Sequence, residues 1–110
     1  MSHERLSLDD LVVRTRNFAE ARGWLGYHDP KNLAMAVASE AGELLAEFRW
    51  LTSEEASARH LSAEQLDAVS MEMADVQIFL VRLADVLGLD LVEISNKKLD
   101  RNEVRFPPTP

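Results

Sequence analysis

Apolar residues along this chain recur three and four positions apart and nowhere in sustained alternation, which predicts helices and no strands. Leu8, Leu11, Val12, Thr15, Phe18 and Ala19 form the first stripe, running to about Arg22. Ser7-Leu8-Asp9-Asp10 opens it as a capping box with Asp in place of Glu. Gly23 to Asp29, rich in Gly and aromatics, predicts a loop, and Asp29-Pro30 supplies an N-cap followed by proline at the first helical position. Leu33, Val37, Ala41, Leu44 and Phe48 then mark a second helix from about Pro30 to Trp50.

Thr52-Ser53-Glu54-Glu55 predicts a short helix to about Arg59, and Ser62-Ala63-Glu64-Gln65 opens a long one that stops before Gly88. Asp90-Leu91-Val92-Glu93 starts a last helix that frays before Pro107-Pro108, with a disordered tail over about 107–110. The pattern is that of one all-α domain over 1–110, a four-helix bundle without repeat or linker. On the long helix, Val69, Val76, Leu80, Leu83 and Leu87 make the main arc, while Met71, Ile78 and Val81 lie away from it and Met35 joins them from the second helix. A second apolar face implies another layer, so a homo-oligomer is expected.

Composition narrows the chemistry. The 110 residues include no Cys and three His, which excludes disulfides and thiolate metal sites and leaves oxygen or imidazole as metal ligands, favouring Mg²⁺, Mn²⁺ or Ca²⁺. Twelve Lys and Arg against nineteen Asp and Glu give a net charge of −7, which argues against binding long nucleic acid through its phosphates. A small polyphosphate remains compatible if divalent cations mediate. Met1-Ser2-His3-Glu4-Arg5 has neither a basic start nor an apolar segment, and no run approaches the roughly 18 residues that span a bilayer. A cytoplasmic protein without membrane contact is expected.

Acid pairs three apart recur along the chain, as Glu40/Glu43, Glu64/Asp67, Glu72/Asp75, Asp90/Glu93 and Asp100/Glu103. Helical position separates them, because residues three apart share a face with β-carbons about 5–6 Å apart. Glu64/Asp67 fall on the polar side and Asp90/Glu93 are used in capping. Glu40, Glu43 and Glu47 instead edge the apolar arc of the second helix, and Glu72 and Asp75 flank that of the third. Acids there are either a solvated helix edge or partly desolvated carboxylates that need a proton, a base or a metal. Neither four-residue segment contains Lys or Arg, and Gly42 inside the second helix suggests close approach of backbone or ligand. A ferritin-like di-iron site would need Glu-x-x-His pairs, and no His here has Glu three residues before it.

Glu40-x-x-Glu43 and Glu72-x-x-Asp75, separated by residues 44–71, resemble the signature of the all-α, MazG-like nucleoside triphosphate pyrophosphohydrolases. Trp24, His28-Asp29-Pro30-Lys31-Asn32-Leu33, Ser39-Glu40-Ala41-Gly42-Glu43-Leu44 and Glu47-Phe48-Arg49-Trp50 are similar to the dCTP pyrophosphatase branch. So are Asp75-Val76-Gln77-Ile78-Phe79-Leu80 and Lys98-Leu99-Asp100-Arg101-Asn102 followed by Arg105-Phe106-Pro107. The likeness extends from Leu11 to Pro107.

This resemblance implies Mg²⁺-dependent (or Mn²⁺-dependent) hydrolysis of a nucleoside triphosphate, dCTP or a modified cytidine nucleotide, to the monophosphate and pyrophosphate. Glu40, Glu43, Glu72 and Asp75 would hold the metal, with one of them, Glu43 by expectation, acting on the attacking water. Trp24 and Trp50 would offer stacking faces, although each could equally be a hydrophobic plug. His28 would contact the nucleotide or cap a helix, and Asn32 would contact substrate or serve only in capping. Lys98, Asn102 and Arg105 share a face of the last helix and would meet phosphates or simply complement its dipole. Phe79 stands where dCTP-preferring relatives carry Tyr, which removes a hydroxyl donor and bears on selectivity. The resemblance further implies a tetramer built as a dimer of dimers. Non-catalytic alternatives are a helical interaction module and a nucleotide sensor that keeps the fold.

Overall fold

Each helix begins where local hydrogen bonding dictates. In the computed structural model, which describes residues 6–110, the Ser7 hydroxyl accepts from the Asp10 N–H at 3.2 Å while the Asp10 carboxylate accepts from the Ser7 N–H at 2.9 Å, closing the capping box of α1 (Leu8–Ala21). Met1 to Arg5, with His3, lie outside the described residues. The stretch read as a loop contains one turn of 3-10 helix, Leu25–Tyr27, before Asp29 caps α2 (Pro30–Ala46) by accepting from the Asn32 N–H at 2.8 Å.

The second helix is shorter than its sequence predicts. After Ala46 the N–H groups of Glu47, Phe48 and Leu51 bond three residues back, to Leu44, Leu45 and Phe48, and this tighter pattern converts the last expected turn into successive turns. Phe48 and Leu51 are half-buried as a result, whereas Trp50 projects. The expected short helix over Thr52 to Arg59 is likewise a run of turns. Its Thr52–Glu55 box does form, at 2.8 and 3.1 Å. Farther on, His60 Nδ1 lies 2.8 Å from the Ser57 hydroxyl and 2.9 Å from the Glu54 carbonyl, a local side-chain linkage that competes with helical bonding.

Ser62 and Gln65 cap each other reciprocally at the start of α3 (Ala63–Leu87), and Gly88, at φ 70°, ends it in the left-handed conformation that glycine adopts without strain. Asp90 caps α4 (Leu91–Arg105), accepting from the Glu93 N–H at 3.0 Å. The chain after Phe106 has no regular secondary structure. Among the described residues there are no strands, as the apolar spacing predicts.

The body is an antiparallel pairing of α2 and α3, with α1 laid across the C-terminal half of α3 through Arg16 and Asp85. Ala19, Leu33, Val69, Val81 and Ala84 form the buried core. Val81, expected on the outer face of the third helix, is fully buried in a helix that packs against both α1 and α2; Leu80 and Leu87, expected in the main arc, are 39% and 50% exposed. No residue of α4 is buried. The subunit is consequently open: its accessible surface of 8766 Å² exceeds the roughly 6,100 Å² of a compact monomer of its mass. Its Cα radius of gyration of 16.8 Å likewise exceeds the expected value of about 13 Å. No helix among the described residues is long and apolar enough to cross a membrane.

Candidate metal centre and adjoining pocket

Because α2 and α3 run antiparallel, the last third of one faces the first half of the other, and their inward acids meet. Glu40, Glu72 and Asp75 each present an oxygen such that all three lie within 4.8 Å of one another. Glu40 and Glu72 are half-buried and Asp75 is exposed. Glu43 stands outside this trio and is exposed, yet it and Glu47 are near enough to act on the charge of Glu72. Glu72 carries the strain of the arrangement. Its Oε2 atom is buried without a hydrogen-bond partner, and its pKa is raised, first by desolvation and then by Asp75, Glu40, Glu43 and Glu47. A buried, orphaned oxygen among converging carboxylates suits a hard divalent cation with oxygen ligands such as Mg²⁺. Gly42, between the two glutamates of α2, does not face a close neighbour within the chain: a Cβ built there meets nothing within 4 Å.

Asp75 also lines a cavity of about 380 Å³, together with Phe18, Trp24, His28, Phe79 and Arg82. Leu11, Ile78 and Arg14 complete much of its wall, so the acidic trio and this mixed aromatic and aliphatic pocket share one residue. Phe18 and Trp24 pack edge to face with ring centroids 5.7 Å apart, and the Trp24 and His28 rings are 6.3 Å apart. His28 is half-buried, and its pKa is lowered by burial and, secondarily, by the Arg82 charge.

Arg82 is a pocket residue that the sequence reading did not single out. It is 3% exposed, donates from Nη1 to Asp85 Oδ2 at 2.6 Å and from Nε to His28 Nδ1 at 3.3 Å. Arg16 holds the same Asp85 carboxylate from α1, at 2.8 and 2.6 Å. The signal was available in the chain: Asp75, Phe79 and Arg82 follow at helical spacings of four and three, and Arg82 interrupts an apolar run with an acid three residues on.

Of the residues expected to bind substrate, the structure gathers Trp24, His28 and Phe79 into this pocket and leaves the others outside it. The Asn32 amide donates to the Tyr27 carbonyl at 3.1 Å and to Asp29 Oδ2 at 3.0 Å, so it pins the loop before α2. Trp50 is 83% exposed beyond the end of α2, with the Arg49 guanidinium 5.3 Å from its ring. Lys98 and Arg105 are exposed on α4, where Arg105 lies over Phe106, and Asn102 is half-buried with its carbonyl accepting from the Phe106 N–H.

Known proteins similar to this chain point to one family and fold. A family model described as MazG-like matches residues 35–107. The chain is 35% identical over 101 residues to dCTP pyrophosphatase 1 of Bos taurus and 36% identical over 101 residues to that of Homo sapiens. These alignments take in 92% of this chain but only 60% and 59% of the relatives, so the chain spans about 60% of their length. The crystal structure of a pyrophosphatase from Archaeoglobus fulgidus superposes with a TM-score of 0.84 at 35% identity, covering 98% of this chain and 99% of that one.

Proposed function

The chain belongs to the MazG-like family, and from that premise we propose that it hydrolyses a nucleoside triphosphate between the α- and β-phosphates, releasing the monophosphate and pyrophosphate. The supporting observation is the sharing of Asp75 between the carboxylate trio and the aromatic pocket, which suits a ligand with a polyphosphate at one end and a flat ring at the other. A pyrimidine triphosphate, dCTP or a modified cytidine nucleotide, is the substrate class this reading favours, by likeness to the dCTP pyrophosphatases.

Glu40, Glu72 and Asp75 would hold Mg²⁺, or Mn²⁺ in its place. When bound, the ion would supply the positive charge that lets a triphosphate approach these acids and would acidify nearby water. Glu43, exposed at the edge of the trio, is the carboxylate we assign to orient that water and take its proton. The water oxygen bonds to the α-phosphorus while the bridging oxygen leaves with pyrophosphate. Trp24 and Phe79 offer ring faces to the base, and His28 offers a ring nitrogen.

The open subunit supports a homo-oligomer, a tetramer of paired dimers by family likeness, in which Trp50, Lys98, Asn102 and Arg105 serve a site completed by another copy. A cysteine-free enzyme acting on free nucleotides fits the cytoplasm. The deciding experiment incubates purified protein with Mg²⁺ and a panel of triphosphates and identifies the products. Monophosphate plus pyrophosphate is expected; diphosphate plus phosphate, or no cleavage of any triphosphate, overturns the proposal.

A further inference from the structure

The Arg16, Asp85, Arg82 and His28 side chains form a continuous hydrogen-bonded series from the edge of α1 to the pocket wall. Arginine has only donors, so the Nδ1 atom that receives the Arg82 Nε–H must carry a lone pair. In the neutral imidazole the ring proton then sits on Nε2, the nitrogen left to meet a ligand. Arg82 cannot easily turn away, because it is buried and its other arm is bonded to Asp85, which Arg16 holds in turn.

We propose that Arg82 is a specificity-determining positioning residue: it fixes His28 as an Nε2–H donor, so that the pocket favours a base presenting a lone pair, as cytosine does at N3, over one presenting an N–H, as uracil does there. Burial of His28 and the adjacent guanidinium charge also disfavour the doubly protonated ring, so the donor is neutral and single. A buried donor facing another donor leaves both unpaired, which is the kind of mismatch that rejects a near-identical ligand. The choice of ligand rests on the hydrolase reading; the tautomer does not.

The test combines ring-¹⁵N NMR of histidine with kcat/KM for dCTP and dUTP, which differ only on the edge in question. In the native protein His28 is expected as the Nε2–H tautomer at neutral pH, and an Nδ1–H tautomer overturns the proposal. Arg82→Met is expected to mix the tautomers and lower the dCTP to dUTP ratio about tenfold, a loss of one hydrogen bond's discrimination. Arg82→Lys keeps a charge beside Asp85, so it remains informative if the Met variant does not fold. Lysine, which can also donate to Nδ1, is expected to preserve helicity, with its ratio following its tautomer; a native ratio with mixed tautomers, or a lost ratio with the Nε2–H form kept, overturns the proposal. If the native protein cleaves neither nucleotide, the choice of these substrates fails, and the hydrolase reading with it if no other triphosphate is cleaved, while the His28 spectrum and the two nucleotides' dissociation constants still judge the lock.

Discussion

Arg16 of α1 and Asp85 of α3 are joined by two parallel hydrogen bonds, from Nε at 2.8 Å and Nη2 at 2.6 Å, and this bridge, with Arg82 on the other side of the carboxylate, ties the first helix to the pocket wall. The Arg16 bond is the largest influence lowering the Asp85 pKa below its ordinary value of 3.8, with Arg82 adding to it against the opposing effect of burial. A carboxyl with a depressed folded-state pKa contributes stability that is full above its unfolded value and is lost as pH falls through the folded one. Chemical denaturation midpoints measured from pH 6 downward are therefore expected to fall below about pH 4. Asp85→Asn should flatten that dependence, and Asp85→Ala should cost about 3 kcal/mol by leaving Arg82 buried and uncompensated.

Glu72 behaves in the opposite sense. Its raised pKa means the ionised form is disfavoured in the folded chain, so stability declines as pH rises through the folded value. Glu72→Gln removes the repulsion and is expected to raise the melting temperature in EDTA. With Mg²⁺ the native protein should gain stability, about 2.7 kcal/mol at a hundredfold excess over Kd, and the variant should gain little. Thermal melts with and without Mg²⁺ compare the two.

Neutralising Asp75 or Glu43 separates holding from turnover. Asp75→Asn and Glu43→Gln are each expected to lower kcat at least about a hundredfold with helicity by circular dichroism unchanged. Retained turnover in both variants would count heavily against the acidic cluster as the reaction centre.

The exposed apolar surface of α3 and α4 predicts an assembly. Leu80, Met73, Val92 and Leu99 line an open groove of about 550 Å³ and are 39%, 57%, 54% and 58% exposed. Light scattering of the native protein is expected to give a mass well above the 12.4 kDa of one chain, and Leu80→Glu to lower it. A native protein that stays monomeric at tens of micromolar rejects this.

Gly42 gives a third handle on stability. A methyl group there meets nothing within 4 Å of the same chain, so Gly42→Ala should stabilise α2 by about 0.5–1 kcal/mol in urea unfolding. Loss of assembly or turnover in that variant would place another copy or the ligand against residue 42.

What the sequence made legible is what depends on near neighbours. The Ser7–Asp10, Asp29–Asn32 and Ser62–Gln65 bonds each span three residues, so the starts of α1, α2 and α3 follow from residue order alone. The meeting of Glu40 with Glu72 and Asp75 was readable because each pair edges an apolar stripe and two stripes must face each other. The end of α2 was not, since no Gly or Pro marks Ala46 and only the backbone pattern past it shows the turn. Val81 misled for a related reason: a helix covered on two flanks and a helix facing a second subunit carry the same apolar excess. For Arg82 the spacing from Asp75 and Phe79 was readable, but its partners were not, since His28 and, through Asp85, Arg16 lie far from it in the chain.

Asp75 stands at a junction, one carboxylate serving the acidic trio and the wall of the aromatic cavity alike. On the hydrolase reading, choosing a ligand and transforming it would be linked in a single side chain, so that drift in one would drag the other along. Anyone redesigning this chain for a new base should leave α3 near Asp75 alone and remodel Phe18 on the opposite helix, where a change of shape can be made without disturbing the acids.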